Sequence, residues 1–321
     1  MKNKKQKSGF IVFVIILAFA AACGIFRLIN SANSSTKRLS ENQKIVLKNH
    51  TKNYIAALYI EGVIQEENQT YNHKWLLETI NELKDDKKNV GIAVFINSPG
   101  GTVYEADETY LALQNYKTSG KPVYVYQGKL AASGGYYISC AANKIYANRN
   151  TLTGSIGVIT GSSYDLTGLF EKLGIKSETV HSGKNKNMFS ANEPVTEEQR
   201  KIMQSISDEC YEQFAGIVAM SRNIPINDVR KLADGRLYTA HQALKNGLID
   251  SVDTWENMIK AMRENEFEGK DYSLVDFKYE KSLNLYDFLL GKALSSVPAA
   301  KMANEIAQKT EIQYPAYLYS N

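Results

Sequence analysis

Two stretches decide the fold: residues 90–101, VGIAVFINSPGG, and residues 122–135, PVYVYQGKLAASGG. Each begins with an apolar run of strand length and ends in a pair of glycines, after which the pattern changes to that of a helix. Successive strand-to-helix turns of this kind are typical of βα units around a largely parallel sheet. Because the carboxyl ends of parallel strands form one edge of a sheet, we expect both glycine turns to lie at the same functional edge.

The same alternation continues on both sides of these stretches and predicts an α/β fold for a single domain at residues 54–265. Further strand patterns cover residues 54–60, 144–147 and 176–180, and helical patterns cover residues 75–83, 196–221 and 240–246. Residues 266–321 are less regular, so we describe them as a C-terminal extension. Its end, residues 314–319, is rich in tyrosine.

The N-terminus has the pattern of a membrane anchor. Residues 1–9 carry four lysines, residues 10–26 carry no charge and are mostly apolar, and Arg27 ends the run. That length can cross a bilayer, and the preceding lysines favour a cytoplasmic N-terminus. We therefore predict a cytoplasmic segment at 1–9, a transmembrane signal anchor at 10–29 and a polar tether at 30–53. The rest of a single-pass cell-membrane protein would then be extracytoplasmic. Cleavage of a signal peptide near Ala20–Ala22 is the alternative.

Composition excludes several classes of function. The net charge is only +4 over 321 residues, and the lysines of the N-terminus account for much of it, which disfavours a nucleic-acid partner. The three cysteines show no C-x-x-C spacing, so we expect no metal and no cofactor. A disulfide between Cys140 and Cys210 stays open for an exported domain.

Ser133 stands where the second strand pattern meets a helix that begins with Gly134 and Gly135. Glycines here remove side-chain bulk, so a carbonyl group can approach the backbone N–H groups of the helix start. The position suits a nucleophile, although serine is also a common N-cap residue. The earlier Gly100-Gly101 pair offers N–H donors of the kind that an oxyanion hole requires, or forms an ordinary turn.

A nucleophilic serine needs a base, and the histidines offer little. Of His50, His73, His181 and His241, only His181 has a context that suggests a site, because it follows a predicted strand and precedes two lysines.

Lysine can serve as the base when its amine is desolvated, because burial favours the neutral form. Our candidate is Lys186, which follows Ser182-Gly183, with Lys184 close beside it. Ser155, in the turn at residues 153–157, is a candidate for orienting the neutral amine, or a plain turn serine.

Taken together, five motifs resemble the bacterial signal peptide peptidase A family in its short, single-domain form. They are Asn97–Gly101, Ala132–Tyr137, Thr153–Gly157, Ser182–Lys186 and Ala233–Asp250. The resemblance implies the crotonase-like α/β fold that this family shares with the Clp protease subunit. The Clp protease uses a Ser-His-Asp triad, whereas the segment after the serine helix here, residues 153–157, contains no histidine.

The resemblance assigns roles to the candidate residues. It implies that Ser133 is the nucleophile, that Lys186 is the base and that Ser155 hydrogen-bonds the lysine. The oxyanion donors would be the N–H groups of Gly101 and Gly134.

The same resemblance implies a membrane-anchored serine endopeptidase that degrades remnant signal peptides and similar hydrophobic peptides after export. It also implies a ring-like homo-oligomer, and we expect an apolar substrate groove. The alternatives are a broader membrane-surface protease in envelope stress or peptide defence, and a crotonase-type acyl-CoA enzyme. We further hypothesise that the tyrosine-rich end docks in a cleft of this or a neighbouring protomer and restrains activity, or that it is a partly disordered terminus.

Overall fold

The computed structural model describes residues 50–281 and 316–318. Residues 52–280 form one compact unit, to which residues 316–318 also belong. The predicted cytoplasmic segment, the transmembrane anchor and most of the tether lie outside the described residues. Within the described part of the chain, no helix is long and apolar enough to span a bilayer.

Strands and helices alternate along most of this unit. The strands are β1 (Tyr54–Glu61), β2 (Asn89–Ser98), β3 (Gly100–Thr102), β4 (Val123–Ala132), β5 (Lys144–Ala147), β6 (Leu152–Gly154), β7 (Leu237–Thr239), β8 (Ser251–Val252), β9 (Ser273–Phe277) and β10 (Ala316–Leu318). The helices are α1 (His73–Asp85), α2 (Val103–Lys117), α3 (Gly134–Ser139), α4 (Thr167–Lys172), α5 (Glu197–Arg222), α6 (Ile226–Leu232), α7 (Ala240–Lys245) and α8 (Trp255–Phe267).

The central sheet has the strand order β7-β6-β4-β2-β1-β9, with β5 also pairing with β4 and β8. All of these pairs are parallel except that between β6 and β7. The predicted α/β fold with a largely parallel sheet is therefore confirmed. Helix α8 packs its Met258 and Met262 against Ile55, Ala93 and Tyr124 of the sheet, which places a buried core on that face.

The structure differs from the sequence prediction at three places. Residues 176–180 do not form a strand: the segment is exposed, Val180 to 92%, and it pairs with no strand of the described chain. Four of its five residues, Lys176 to Thr179, are polar, so the segment offers little apolar surface for a sheet to bury. Helix α4 was not predicted, and β9 adds a parallel strand beside β1 beyond residue 265, where the sequence pattern loses regularity.

Candidate active site

Ser133 occupies a strained junction between β4 and α3. Its φ of 52° and ψ of −115° place a non-glycine residue in a left-handed conformation, and the residue is only 1% exposed. Its backbone is held on both sides, because its N–H donates to the Gly154 carbonyl at 2.7 Å and its carbonyl accepts from the Tyr137 N–H at 2.9 Å. Strain of this kind in a non-glycine residue is concentrated at functional sites.

Ser155 lies beside Ser133 at the same edge of the sheet. Ala132 of β4 pairs with Gly154 of β6, so each serine directly follows a paired residue. Neighbouring strands are about 5 Å apart, which brings the two serine backbones together. Ser155 also has a positive φ, 50°, and is 7% exposed. The structure thus joins two of the predicted site residues.

The first glycine turn reaches this edge as well, because Ser98 of β2 pairs with Ala131 of β4. The Ser98 hydroxyl accepts a hydrogen bond from the Gly100 N–H at 3.0 Å and so shapes the turn. Gly101 has a second reason to be glycine: an added Cβ would lie 1.7 Å from the Ile64 carbonyl oxygen. The structure therefore places Gly101 next to the junction that holds Ser133 and Gly134.

Strand β3 is paired along both edges. On one side the Ile64 N–H donates to the Gly100 carbonyl at 2.9 Å, and the Thr102 N–H donates to the Ile64 carbonyl at 2.9 Å. On the other side β10 runs antiparallel, with residues 316, 317 and 318 opposite residues 102, 101 and 100. An extended segment near the C-terminus thus lies where a peptide bound by strand addition would lie.

Lys186 is exposed in the single chain, and its ammonium makes no hydrogen bond or ion pair with any residue among 50–281. Lys184 forms an ion pair with Glu198, and this hydrogen bond lowers the pKa of the Glu198 carboxyl. His181 is exposed, and its Nδ1 lies 3.1 Å from the Gly183 carbonyl. Among the described contacts, none joins Lys186 to Ser133, so the structure does not bring the predicted base to the predicted nucleophile.

The cysteines do not compete with Ser133 as nucleophiles. Cys140 and Cys210 are not joined in a disulfide, so the bridge that the sequence left open is not formed. Burial raises the pKa of the Cys140 thiol to about 11 and also raises the pKa of Cys210. Both thiols are therefore protonated near neutral pH. Within residues 50–281 and 316–318, no group of His, Cys, Asp and Glu side chains could hold a metal ion.

The turn at residues 234–236 supports Ser155, a role that the sequence patterns did not reveal. The Arg236 carbonyl accepts the Ser155 N–H at 2.8 Å, and the Gly235 N–H donates to the Ile156 carbonyl at 3.1 Å. The Arg236 guanidinium donates to the Asp234 carboxylate, which lowers the pKa of that carboxyl. The only signal in the sequence was the place of these residues within the last of the five motifs.

Comparisons with known proteins show which family this chain belongs to. The profile of Peptidase family S49 matches residues 115–267. A predicted signal peptide peptidase SppA of Enterococcus faecium is 35% identical over 79% of this chain and 74% of its own length. A predicted protease of Methanocaldococcus jannaschii is 31% identical over 89% of this chain and 92% of its own. The chloroplastic serine protease SPPA of Arabidopsis thaliana is 34% identical over 67% of this chain and 32% of its own.

The fold and the sequence together define a peptidase of the serine type. The chain belongs to peptidase family S49, the family of the SppA signal peptide peptidases and protease 4. Among solved structures, a mutant of ClpP1 from Listeria monocytogenes is similar with a TM-score of 0.45 and 18% identity, over 64% of this chain and 94% of that one.

Proposed function

We propose that this protein is a membrane-anchored serine endopeptidase that degrades remnant signal peptides and similar hydrophobic peptides after export. The observation that carries the proposal is the strained junction at Ser133, buried beside Ser155 and next to Gly101 at one edge of the sheet. The anchor at residues 10–29, the crotonase-like arrangement of the fold and the Ser/Lys dyad are parts of the same proposal.

In this mechanism, neutral Lys186 accepts the proton of the Ser133 hydroxyl while its oxygen attacks the peptide carbonyl. The N–H groups of Gly101 and Gly134 hold the resulting oxyanion. The Lys186 ammonium then protonates the leaving amine as the peptide bond breaks. Water hydrolyses the acyl-enzyme with Lys186 again as the base, which restores Ser133. Ser155 orients the amine.

This mechanism requires Lys186 to be withdrawn from solvent, and we propose that assembly of several copies provides that environment. Burial is what favours the neutral amine, and Lys186 is exposed in the single chain. The segment that leads to it also exposes large apolar side chains, Leu169, Leu173 and Ile175. An apolar surface of this kind supports an interface between copies. The base could then reach Ser133 of its own chain or of a neighbour.

A serine-reactive fluorophosphonate probe tests the nucleophile directly. We expect mass spectrometry of the labelled protein to find the adduct on Ser133, and the Ser133→Ala variant to take up none. Ser182→Ala, which changes an exposed serine near Lys186, is the matched control and should label like the wild type. A folded wild-type protein that stays unlabelled would favour the crotonase-type alternative, which needs no nucleophile.

Removal of residues 314–321 tests the restraint by the C-terminal segment. Because β10 pairs with the edge of β3 beside Gly101, its loss should free that edge for peptide substrates. A tethered competitor acts at a high effective concentration, so we expect peptide hydrolysis to rise by roughly tenfold, chiefly through a lower KM. Removing only residues 320–321 is the control. Equal kinetics for both truncations and the full chain would contradict the restraint.

A further inference from the structure

A pocket of about 510 Å³ opens beside β3, and none of its described lining residues has a role in the proposed mechanism. One wall is the segment from Thr102 to Glu105 together with Asp107, where β3 passes into α2. The other wall is formed by Cys210 and Gln213 of α5. Pockets of this size accommodate whole ligand groups, and this one is easily large enough for one long side chain.

Strand direction places this pocket relative to the bond that is cleaved. The β10 segment runs antiparallel to β3, so its N-terminal residue lies opposite Thr102 and its later residues lie opposite Gly101 and Gly100. A substrate that adds to β3 in the same direction has its scissile carbonyl near the Gly101 N–H. Residues that precede the scissile bond then lie at Thr102 and beyond it, where the pocket begins.

The polar groups of the pocket are mostly hydrogen-bond acceptors. Asp107 Oδ1 accepts a hydrogen bond from the Tyr137 hydroxyl at 2.6 Å, while Oδ2 has no donor among the described residues. The Gln213 amide donates to the same Tyr137 hydroxyl at 2.8 Å. Glu105 adds a second carboxylate, which accepts a hydrogen bond from the Thr102 hydroxyl. A carboxylate oxygen without a donor among the described residues suits a ligand that carries N–H groups.

Among the described residues that line the pocket, no cationic side chain neutralises these carboxylates. None of these lining residues is a lysine, an arginine or a histidine. The ring of His73 lies 6.1 Å from the ring of Tyr104. Burial lowers the pKa of His73, which favours its neutral form. Val103 and the ring of Tyr104, which is 66% exposed, provide apolar surface for an aliphatic stem and an aromatic face for a cation.

We propose that this pocket binds an arginine or lysine side chain of the substrate, at a position preceding the scissile bond. The inference rests on the proposed peptidase function and adds a substrate preference to it. Asp107 acts as the specificity-determining carboxylate, and Glu105 contributes charge from the rim. The expectation of a uniformly apolar groove would then be wrong at this subsite. Signal peptides combine a positively charged region with an apolar one, so a basic residue ahead of an apolar stretch is available in such substrates.

Peptides that differ only by Arg, Lys, Leu or Glu, placed in turn at each of three positions before the scissile bond, test the preference. We expect one position at which the full-length wild type cleaves the Arg peptide roughly tenfold more efficiently than the Leu peptide, because a hydrogen bond to a charged group contributes at least that factor. Asp107→Asn keeps an oxygen for the Tyr137 hydroxyl, and it should remove most of this advantage by lowering kcat/KM for the Arg peptide more than for the Leu peptide.

Glu108→Gln is the matched control, because Glu108 is the next carboxylate along α2 and does not line the pocket. It should retain the wild-type preference. If Asp107→Asn does not fold, Glu105→Gln is the second variant and should reduce the preference in the same direction. Equal cleavage of Arg and Leu peptides at all three positions by an active wild type would overturn the subsite but leave the peptidase function intact. Loss of probe labelling at Ser133 would instead overturn the peptidase function.

Discussion

Lys186→Ala is expected to lower peptide hydrolysis by roughly 10⁴-fold or more, because removal of the base from a serine peptidase leaves only substrate binding and the oxyanion hole. The loss should appear in kcat with little change in KM, since the amine acts on the Ser133 proton during the chemical step. The circular dichroism spectrum should match that of the wild type, because in the single chain the Lys186 side chain is exposed and makes no hydrogen bond or ion pair with a described residue.

Two neighbouring substitutions are the controls for this prediction. Lys184→Ala removes a lysine that is already paired with Glu198, and His181→Ala removes an exposed imidazole. Both variants should keep kcat within about threefold of the wild type, as is usual for exposed positions outside a site. Wild-type turnover by Lys186→Ala, with a large loss in either control, would contradict the assignment of the base.

Mixing two inactive variants separates the two possible arrangements of the dyad. If Lys186 serves Ser133 of a neighbouring copy, a mixture of Ser133→Ala and Lys186→Ala chains regains part of the activity. Among interfaces that join one chain of each variant, half bring the intact Ser133 of the Lys186→Ala chain to the intact Lys186 of the Ser133→Ala chain. If each chain supplies both residues to its own site, the mixture stays inactive.

Gly101→Ala is the second large effect, because the added Cβ would lie 1.7 Å from the Ile64 carbonyl oxygen and only 2.5 Å from its carbonyl carbon. Backbone atoms cannot turn aside as a flexible side chain can, so β3 must shift away from Ile64. The shift moves the Gly101 N–H from the proposed oxyanion position. We expect kcat/KM to fall roughly 10²- to 10³-fold, the cost of losing one oxyanion donor, together with a lower thermal midpoint.

Gly216→Ala is the matched control, because Gly216 lies within α5 and an added Cβ meets no atom within 4 Å. Alanine is the better helix former, so this variant should be as stable as the wild type or more stable by up to about 1 kcal/mol, with unchanged activity. The explanation fails if Gly101→Ala matches the wild type in both kcat/KM and thermal midpoint.

The strands and the glycine turns could be predicted because they depend on local patterns. The runs at residues 90–96 and 122–127 are mostly apolar because parallel strands are buried on both faces. Both appear as strands, the second extended to Ala132. The turns converge at one edge because parallel strands all end on the same side. Residues 176–180 show the limit of this reasoning. We predicted a strand there, but in the structure no described strand lies beside the segment to pair with it.

By itself, the sequence determined the order of the βα units and the position of Ser133 after a strand and before two glycines. It also contained the five motifs that resemble those of the signal peptide peptidase A family. Only the tertiary structure decided the positive φ of Ser133, the approach of Ile64 to Gly101 and the support of Ser155 by Arg236. It also decided the pairing of residues 316–318 with β3. The physical reason is that these features depend on contacts between residues far apart in the chain, whereas periodicity and turn chemistry report only on neighbours.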